Sequence, residues 1–190
     1  MRRWIMRVGE VESLSIRTMR APDAGPVTRV WHASWMDTYV RPGGISAQDA
    51  QARWARRLSA EGIARLAGQI EEARASTGLI HLVAERGQEM VGLAIAEQPP
   101  AGEQHLRVMY VTAQSRSQGV GAALMRAVLE WADATRPIEL GVAAFNTAAQ
   151  RFYARHGFVL VPGSRRLHDG IIPEVTMRRA PGGAPGRDGA

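Results

Sequence analysis

The residues whose spacing most directly suggests chemistry lie in Leu106–Met125, where Arg116, Gly119 and Gly121 form the pattern R-x-x-G-x-G. An apolar run precedes this pattern and another follows it, so the sequence predicts a strand, a loop and a helix. The first turn of a helix has unpaired backbone N–H groups and the positive end of the helix dipole. Glycines let the backbone approach an anion closely. The segment therefore predicts a site for a phosphate or pyrophosphate.

Two common phosphate-binding loops do not fit this pattern. The dinucleotide-binding pattern G-x-G-x-x-G needs a third glycine, and only one glycine pair is present here. The phosphate loop of nucleotide hydrolases needs G-K-[ST], but all 24 basic residues of this chain are arginines. Both of these nucleotide-binding classes are excluded.

A second segment, Leu140–Val159, predicts a strand followed by a helix that carries Tyr153. Asn146 is suited to cap the start of this helix, and Gly157 to end it. The whole segment follows the pattern N-x-x-A-x-x-F-Y-x-x-x-G-F. The matching residues are Asn146, Ala149, Phe152, Tyr153, Gly157 and Phe158.

Together the two segments resemble the signatures of the GNAT superfamily of acyl-CoA-dependent N-acyltransferases. The first resembles [QR]-x-x-G-x-[GA], with Val111 at the apolar strand position five residues before Arg116. The second resembles N-x-x-A-x-x-[FL]-Y-x-x-x-G-F. The resemblance spans roughly residues 13–179, and its specific residues lie within 105–158.

The resemblance implies an α/β (α+β) fold, with a mixed, mostly antiparallel and splayed sheet of about seven strands flanked by helices. In this family the sheet opens between its fourth and fifth strands, and the pantetheine arm of the cofactor lies in the opening. Here that opening is expected between His105–Val111 and Ile138–Val142.

Acetyl-CoA is the co-substrate that the resemblance implies, and no metal is expected. Backbone groups of the loop and the first helical turn would hold its pyrophosphate, namely those of Arg116, Ser117, Gln118, Gly119, Val120, Gly121 and Ala122. The strand residues Met109, Tyr110 and Val111 would present backbone groups to the pantetheine amides and the acyl carbonyl. Asn146 would contact the cofactor as well as cap its helix.

The resemblance also implies catalytic side chains for direct attack by a primary amine in a ternary complex. Tyr153 occupies the general-acid position, from which it would donate a proton to the departing thiolate. His105 is the candidate base, at a place where several family members carry a glutamate, and Glu97 is the reserve. The alternatives are ordinary packing for Tyr153 and a partly exposed strand histidine for His105. A non-catalytic acyl-CoA sensor is the alternative function.

The acceptor pocket is expected at the end of the first predicted helix. Trp35 and Tyr39 could line an apolar pocket, and Asp37 could bind a cationic amine. The alternative is a stripe of core residues with one exposed aspartate. Nothing in the sequence chooses among a small amine, an amino acid, an antibiotic and a protein N-terminus as the acceptor.

These residues are positioned by elements that periodicity and capping signals predict. A flexible leader over 1–12 precedes a domain over 13–179, and 180–190 forms a disordered tail. Ser46 and Ser59 are expected to cap two helices. The predicted strands are Ser13–Met19, Ile80–Glu85, Met90–Glu97, His105–Val111, Ile138–Val142, and a closing hairpin of Phe158–Arg165 with Ile172–Arg178. The predicted helices run from about Asp23 to Trp35 or Tyr39, from Ser46 to Leu58, from Ser59 to Ala75, over Gly119–Thr135 and over Thr147–His156.

Composition limits the remaining function classes. The chain has 190 residues, a formal charge of +6 and no cysteine, so thiolate metal sites and a cysteine nucleophile are excluded. Its arginines are dispersed, which disfavours nucleic-acid binding. No apolar run approaches the ~20 residues of a membrane span. A cytoplasmic, bacterial protein is expected, with a homodimer through the closing hairpin by analogy of fold.

Overall fold

A nine-stranded sheet with helices on both faces makes up the computed structural model, which describes residues 3–6, 13–41 and 44–182. The strands are β1 (Arg3–Met6), β2 (Leu14–Thr18), β3 (Leu79–Arg86), β4 (Glu89–Glu97), β5 (Gln104–Val111), β6 (Ile138–Ala143), β7 (Val159–Leu160), β8 (Arg166–His168) and β9 (Ile172–Arg179). The helices are α1 (Ala24–Tyr39), α2 (Ala47–Leu58), α3 (Ala60–Ala75), α4 (Val120–Trp131) and α5 (Thr147–Arg155). The strand order is β1-β2-β3-β4-β5-β6-β9-β7, and β8 also pairs with β9.

The neighbouring strands are antiparallel except β5 and β6, which run parallel. Their pairing covers only Gln104 with Ile138, His105 with Glu139, and Leu106 with Leu140. Beyond Leu106, β5 stays paired with β4 on its other side, as far as Val111. The sheet therefore opens at the expected place, and the predicted mixed, mostly antiparallel fold is confirmed.

Two hydrophobic cores lie on opposite faces of this sheet. One packs α4 and α5 against the strands, with Leu124, Val128 and Tyr153 among its buried members. The other packs α1 and α3 against β3 and β4, around Val27 and Ile70. The core side chains follow helical spacing on α4, where Val120, Ala123, Leu124, Ala127 and Val128 are buried. The two layers hold the edges of the opening in place.

Hydrogen bonds of the Gln104 side chain stabilise the closed end of the opening. Its side chain is fully buried. Its Nε2 donates to the carbonyl oxygen of Asp133 at 2.9 Å, and its Oε1 accepts from the backbone N–H of Asp133 at 2.8 Å. Because a buried amide must be paired, these bonds fix the connection between α4 and β6 against the first residue of β5.

The helix starts follow the sequence prediction. Ser46 accepts a hydrogen bond from the N–H of Asp49, and Ser59 accepts one from the N–H of Gly62. Both serines therefore cap their helices as predicted, because this signal is local. The end of α4 differs, since the helix ends at Trp131 rather than at Thr135. The Asp133 side chain accepts from Thr135 and, with Gln104, holds a turn in place of the predicted last helical turn.

Both ends of the domain depart from the prediction. Arg3–Met6, predicted within the flexible leader, forms an edge strand whose backbone pairs with β2 from Arg3–Arg17 to Met6–Leu14. Residues 1–2 and 7–12, and positions 183–190 of the predicted tail, lie outside the described residues. Of the predicted first hairpin arm, Phe158–Arg165, only β7 is a strand. A turn at Gly163, whose φ is +71°, ends it, and β8 follows beyond the predicted arm.

The interrupted hairpin leaves apolar side chains exposed. Val159, Leu160 and Leu167 expose 67%, 53% and 61% of their surface. An exposed apolar cluster at a sheet edge suits self-association. The homodimer expected at this hairpin stays a prediction that sedimentation velocity can test, and a sedimentation coefficient of a monomer would reject it.

Candidate active site

The loop between β5 and α4 has the geometry of an anion cradle. Ser117 and Gly119 adopt left-handed conformations, with φ of 60° and 82°, and Gly119 begins α4. The first helical bond runs from the N–H of Ala123 to the carbonyl of Gly119. The N–H groups of Val120, Gly121 and Ala122 therefore precede the helical ladder and point out of the helix start. This arrangement favours an anion at the open end of β5.

Gly121 keeps the first turn of α4 close to α5. A Cβ on this residue would lie 3.3 Å and 3.4 Å from ring atoms of Phe152, and 3.9 Å from the methyl of Met109. Any larger side chain would push these groups apart. The Phe152 ring of α5 therefore packs directly against the first turn of α4.

Tyr39, Tyr110 and Tyr153 are the only tyrosines of the chain, and they come together at the opening. Tyr153 belongs to the core on the α4 face, whereas Tyr110 packs with the core on the α1 face. The charges of these two phenols nevertheless interact, and Tyr110 also hydrogen bonds to Tyr39. The hydroxyl groups of Tyr39 and Tyr110 are therefore adjacent, and Tyr153 lies near enough to interact electrostatically with both.

Burial determines the protonation state of the three tyrosine side chains. It raises the pKa of Tyr153 above the ordinary value of 10.0, and the nearby Tyr39 adds to the shift. Burial also raises the pKa of Tyr110, where the Tyr39 charge adds to it. The pKa of Tyr39 is raised by burial, less strongly because Tyr110 donates to it, and the Glu174 carboxylate raises it further. All three phenols are therefore protonated near neutral pH.

The helix that carries Tyr153 is fixed at both ends. Asn146 Oδ1 accepts from the N–H of Ala149 at 3.1 Å, so the predicted N-cap is confirmed. Gly157, with φ of +83°, follows the last turn. The Tyr153 ring lies 5.3 Å from Phe152 and 6.0 Å from Phe158, centroid to centroid. Rings on both sides thus hold the phenol of Tyr153 in one orientation.

The end of α1 contacts the loop between β5 and α4, and the amine-binding role expected for Asp37 stays a prediction. Asp37 forms a 2.6 Å ion pair with Arg116, and both side chains are about half exposed. Trp35 packs on Tyr39 at 4.8 Å and on Trp54 at 6.0 Å. Asp37 therefore holds the loop arginine, whereas Trp35 and Tyr39 belong to an aromatic wall beside the opening.

A cleft of about 970 Å³ adjoins this wall on the α1 face. It lies between the α1–α2 connection, α2, the end of β6 and the start of β9. Its lining residues are Tyr39, Arg41, Gly44, Ile45, Ser46, Asp49, Ala52, Arg53, Ala144, Phe145, Arg165, Ile171, Ile172 and Pro173. Tyr39 lines the cleft and hydrogen bonds to Tyr110, so the cleft borders the phenol group on one side.

His105 and Glu97 do not join this group. His105 is half-buried at the closed end of the opening, where it is in register with Glu97 and Glu139. Glu97 forms a 2.5 Å ion pair with Arg107. Tyr110 lies five positions after His105 on β5, about 16 Å along an extended chain. A base at His105 would therefore need a water relay to reach the opening.

Three features of the site have no signal in the sequence. The Tyr110 side chain, expected only to offer its backbone, joins the phenol group. Arg41 lies 3.6 Å from the centre of the Phe145 ring. The Glu174 carboxylate lies over Gly141, where a Cβ would come within 2.4 Å of it. Each depends on contacts between segments distant in the chain, which local patterns do not encode.

The described residues contain neither a metal-binding cluster nor a membrane-spanning helix. Within 3–6, 13–41 and 44–182, no three His, Asp or Glu side chains are arranged to hold a metal ion. In the same residues, no helix has the length and apolar character needed to cross a bilayer.

Comparisons with known proteins agree with this geometry. A family model described as "Acetyltransferase (GNAT) family" matches residues 30–158. The comparison with curated proteins finds no match.

Solved structures share the fold over most of the chain. The PaiA N-acetyltransferase of Thermoplasma acidophilum, solved in complex with coenzyme A, has a TM-score of 0.72 and 20% identity, covering 88% of this chain and 98% of that one. The ribosomal-protein-S5-alanine acetyltransferase of Vibrio fischeri has a TM-score of 0.70 and 12% identity, covering 94% and 97%. A GNAT-family acetyltransferase of Streptococcus pneumoniae has a TM-score of 0.65 and 21% identity, covering 87% and 98%.

The raised pKa values of the three phenols give a direct prediction. Ultraviolet titration should show that phenolate forms at higher pH in the folded protein than in the unfolded chain, whose tyrosines titrate at about pH 10. Their contribution to stability is present below the unfolded pKa and is lost as the pH rises through the folded pKa. The matched control is the same titration in denaturant. A phenolate signal from folded protein below pH 10 would contradict the buried group.

Proposed function

Because the chain belongs to the GNAT acetyltransferase family, we propose that it transfers an acetyl group from acetyl-CoA to a primary amine by direct attack in a ternary complex. The observation that carries the proposal is the parting of β5 and β6 beside the anion cradle at the start of α4. Acetyl-CoA supplies the activated thioester. The chain supplies binding groups, a hydrogen-bond donor and a separate cleft for the acceptor.

The cradle fits the pyrophosphate. The outward N–H groups of Val120, Gly121 and Ala122 provide donors, and the positive end of α4 adds a favourable field. Ser117, Gln118 and Gly119 form the turn that precedes them. Arg116 can add a charge-assisted contact when it turns from Asp37, and the exposed pair gives up little stability in doing so. Main-chain groups thus supply most of the binding.

The open edge of β5 fits the pantetheine arm. From Met109 to Val111, β5 pairs with β4 on one side and has left β6 on the other. Its backbone amides on the open side need partners, because buried polar groups are costly when unpaired. An arm with two amides satisfies this need as a strand would. The same edge can hold the acyl carbonyl in the orientation for attack. Asn146 lies on the other side of the opening, at the start of α5.

Tyr153 is proposed as the donor to the departing thiolate. Its phenol is buried, faces the opening and keeps its proton well above neutral pH. A donor held in this way stabilises negative charge on sulfur without reorganising. Since the chain has no cysteine, no covalent cysteine intermediate forms. The amine reaches the opening from the cleft on the α1 face, past Tyr39.

The first prediction from this proposed mechanism concerns Tyr153→Phe. This change removes only the hydroxyl and keeps the ring that packs on Phe152 and Phe158. We expect turnover to fall by about 10²-fold or more, with little change in acetyl-CoA affinity. Steady-state thiol release measures the first quantity and calorimetry the second. Equal turnover of the variant and the parent protein would remove Tyr153 from the mechanism.

A second prediction separates cofactor binding from general destabilisation. Gly119→Ala forces a side chain onto a residue with φ of +82°, while open space surrounds the added Cβ. It should distort the cradle and weaken acetyl-CoA binding by about tenfold. Gly102→Ala is the matched control, because its φ is +89° and its added Cβ also meets no atom. Calorimetric titration of both variants tests this, and equal affinities would reject the cradle.

The base is assigned to His105, acting through water, and a third prediction tests this assignment. His105→Gln keeps a polar side chain and removes the titrating group. The value of kcat/KM should then fall least at low pH, where a protonated imidazole cannot accept a proton, and most at higher pH, while acetyl-CoA affinity stays unchanged. The pH profile of kcat/KM is the measurement. An unchanged profile would assign deprotonation of the amine to solvent.

A further inference from the structure

The acceptor cleft carries more positive than negative charge. Its lining includes Arg41, Arg53 and Arg165, but only one carboxylate, that of Asp49. Asp49 is engaged at the start of α2, where its side chain accepts from the Ser46 hydroxyl at 2.6 Å. An anionic group in the cleft would therefore be attracted rather than repelled.

Two of the three arginines are available to a ligand. Arg53 lies 3.5 Å from Asp169 in an exposed ion pair. Arg41 and Arg165 form no ion pair with any carboxylate among the described residues. Their charges are therefore not neutralised by this part of the protein.

Arg41 is also held in place. Its guanidinium lies 3.6 Å from the centre of the Phe145 ring, which is itself packed edge-on against Tyr39 at 6.0 Å. A guanidinium stacked on a ring keeps the N–H groups along its edge free for bidentate bonds to a carboxylate. The stacking thus reduces the entropy that binding would otherwise cost.

The rest of the cleft fits an apolar body with an amine. Ile45, Ile171, Ile172 and Pro173 provide apolar surface between the arginines and Tyr39. Near Tyr39 lies the Glu174 carboxylate, which is mostly buried and accepts from Arg166 at 2.8 Å. Arg166 offsets the charge of this carboxylate, which is not part of the cleft lining, so the lining keeps its excess of positive charge.

We propose that the acceptor is a small amine that also carries a carboxylate, such as an apolar amino acid. Arg41 and Arg165 bind the carboxylate, the isoleucines contact the apolar body, and the amine points past Tyr39 to the opening. The part of this proposal that concerns the amine of the acceptor rests on the proposed acetyl transfer. The carboxylate subsite can be tested without turnover.

The experiment compares each acceptor with its carboxamide. Leucine is paired with leucinamide, and linear amino acids of increasing chain length with their amides, in the thiol-release assay with acetyl-CoA. The amide keeps the amine and the apolar body and loses the negative charge. We expect KM to be at least about tenfold lower for the acid of the best pair. Arg41→Gln and Arg165→Gln should each raise the KM of that acid toward the KM of the amide.

Arg65→Gln is the matched control. Arg65 is an exposed arginine on α3 whose ion pair is with Glu61 of the same helix. This variant should leave both KM values unchanged, and all three variants should keep the acetyl-CoA affinity of the parent protein. Equal or better use of the amides, or of polyamines that have no carboxylate, would overturn the proposal. So would Arg41 and Arg165 variants that keep the preference for acids.

A binding measurement separates the two proposals. The carboxylic acid that corresponds to leucine without its amino group is titrated into the protein with CoA present, and its amide is titrated in parallel, by NMR. Binding of the acid alone, lost in Arg41→Gln, supports the subsite even if no amine is acetylated and the transfer proposal fails. Absence of acid binding to the parent protein, in a preparation that turns over no amine, overturns the subsite as well.

Discussion

The parting of β5 and β6 is the constraint on which the rest of the molecule depends. Two adjacent strands give up their pairing after Leu106, although each amide in an interior must find a partner. Such an opening persists only because other contacts hold its edges. Gln104 ties the closed end to the α4–β6 turn. The core on the α4 face holds both β5 and β6, and the core on the α1 face packs against β5. The unpaired edge is then a preformed site for a ligand rich in amides.

The opening also brings together groups from both faces of the sheet. Tyr153 comes from the α4 face, and Tyr39 and Tyr110 come from the α1 face. In a closed sheet a layer of backbone would separate them. Their mutual effect on pKa indicates instead that the phenols share one low-dielectric space. A cofactor from one face and an acceptor from the other can therefore meet there, with a protonated phenol between them.

Local signals predicted the parts of the molecule that local interactions determine. The serine caps of α2 and α3, the Asn146 cap of α5 and the glycine loop before α4 each depend on a few neighbouring residues. The family resemblance supplied the mixed, mostly antiparallel sheet and the place of the opening. The turn that ends α4 was missed because Gln104, distant in the chain, holds it. Arg41 over Phe145 and Glu174 over Gly141 are contacts of the same long-range kind.

The position of His105 shows how a register can separate residues that a motif places together. Val108 pairs with Ile95, and Leu106 pairs with Ala96. Arg107 therefore has no backbone pairing partner in β4 and forms a bulge in β5. The residues before the bulge belong to the paired end of the sheet, with Glu97 and Glu139 beside them. Those after it, from Val108 to Val111, belong to the open end with the phenols. The β5 residues that lie at the opening therefore come from the second half of the strand. A side chain in the first half, such as that of His105, reaches the opening only through solvent. Charge follows the same division, because Glu97 is neutralised by Arg107 at the closed end, whereas Arg41 and Arg165 face the cleft at the open end.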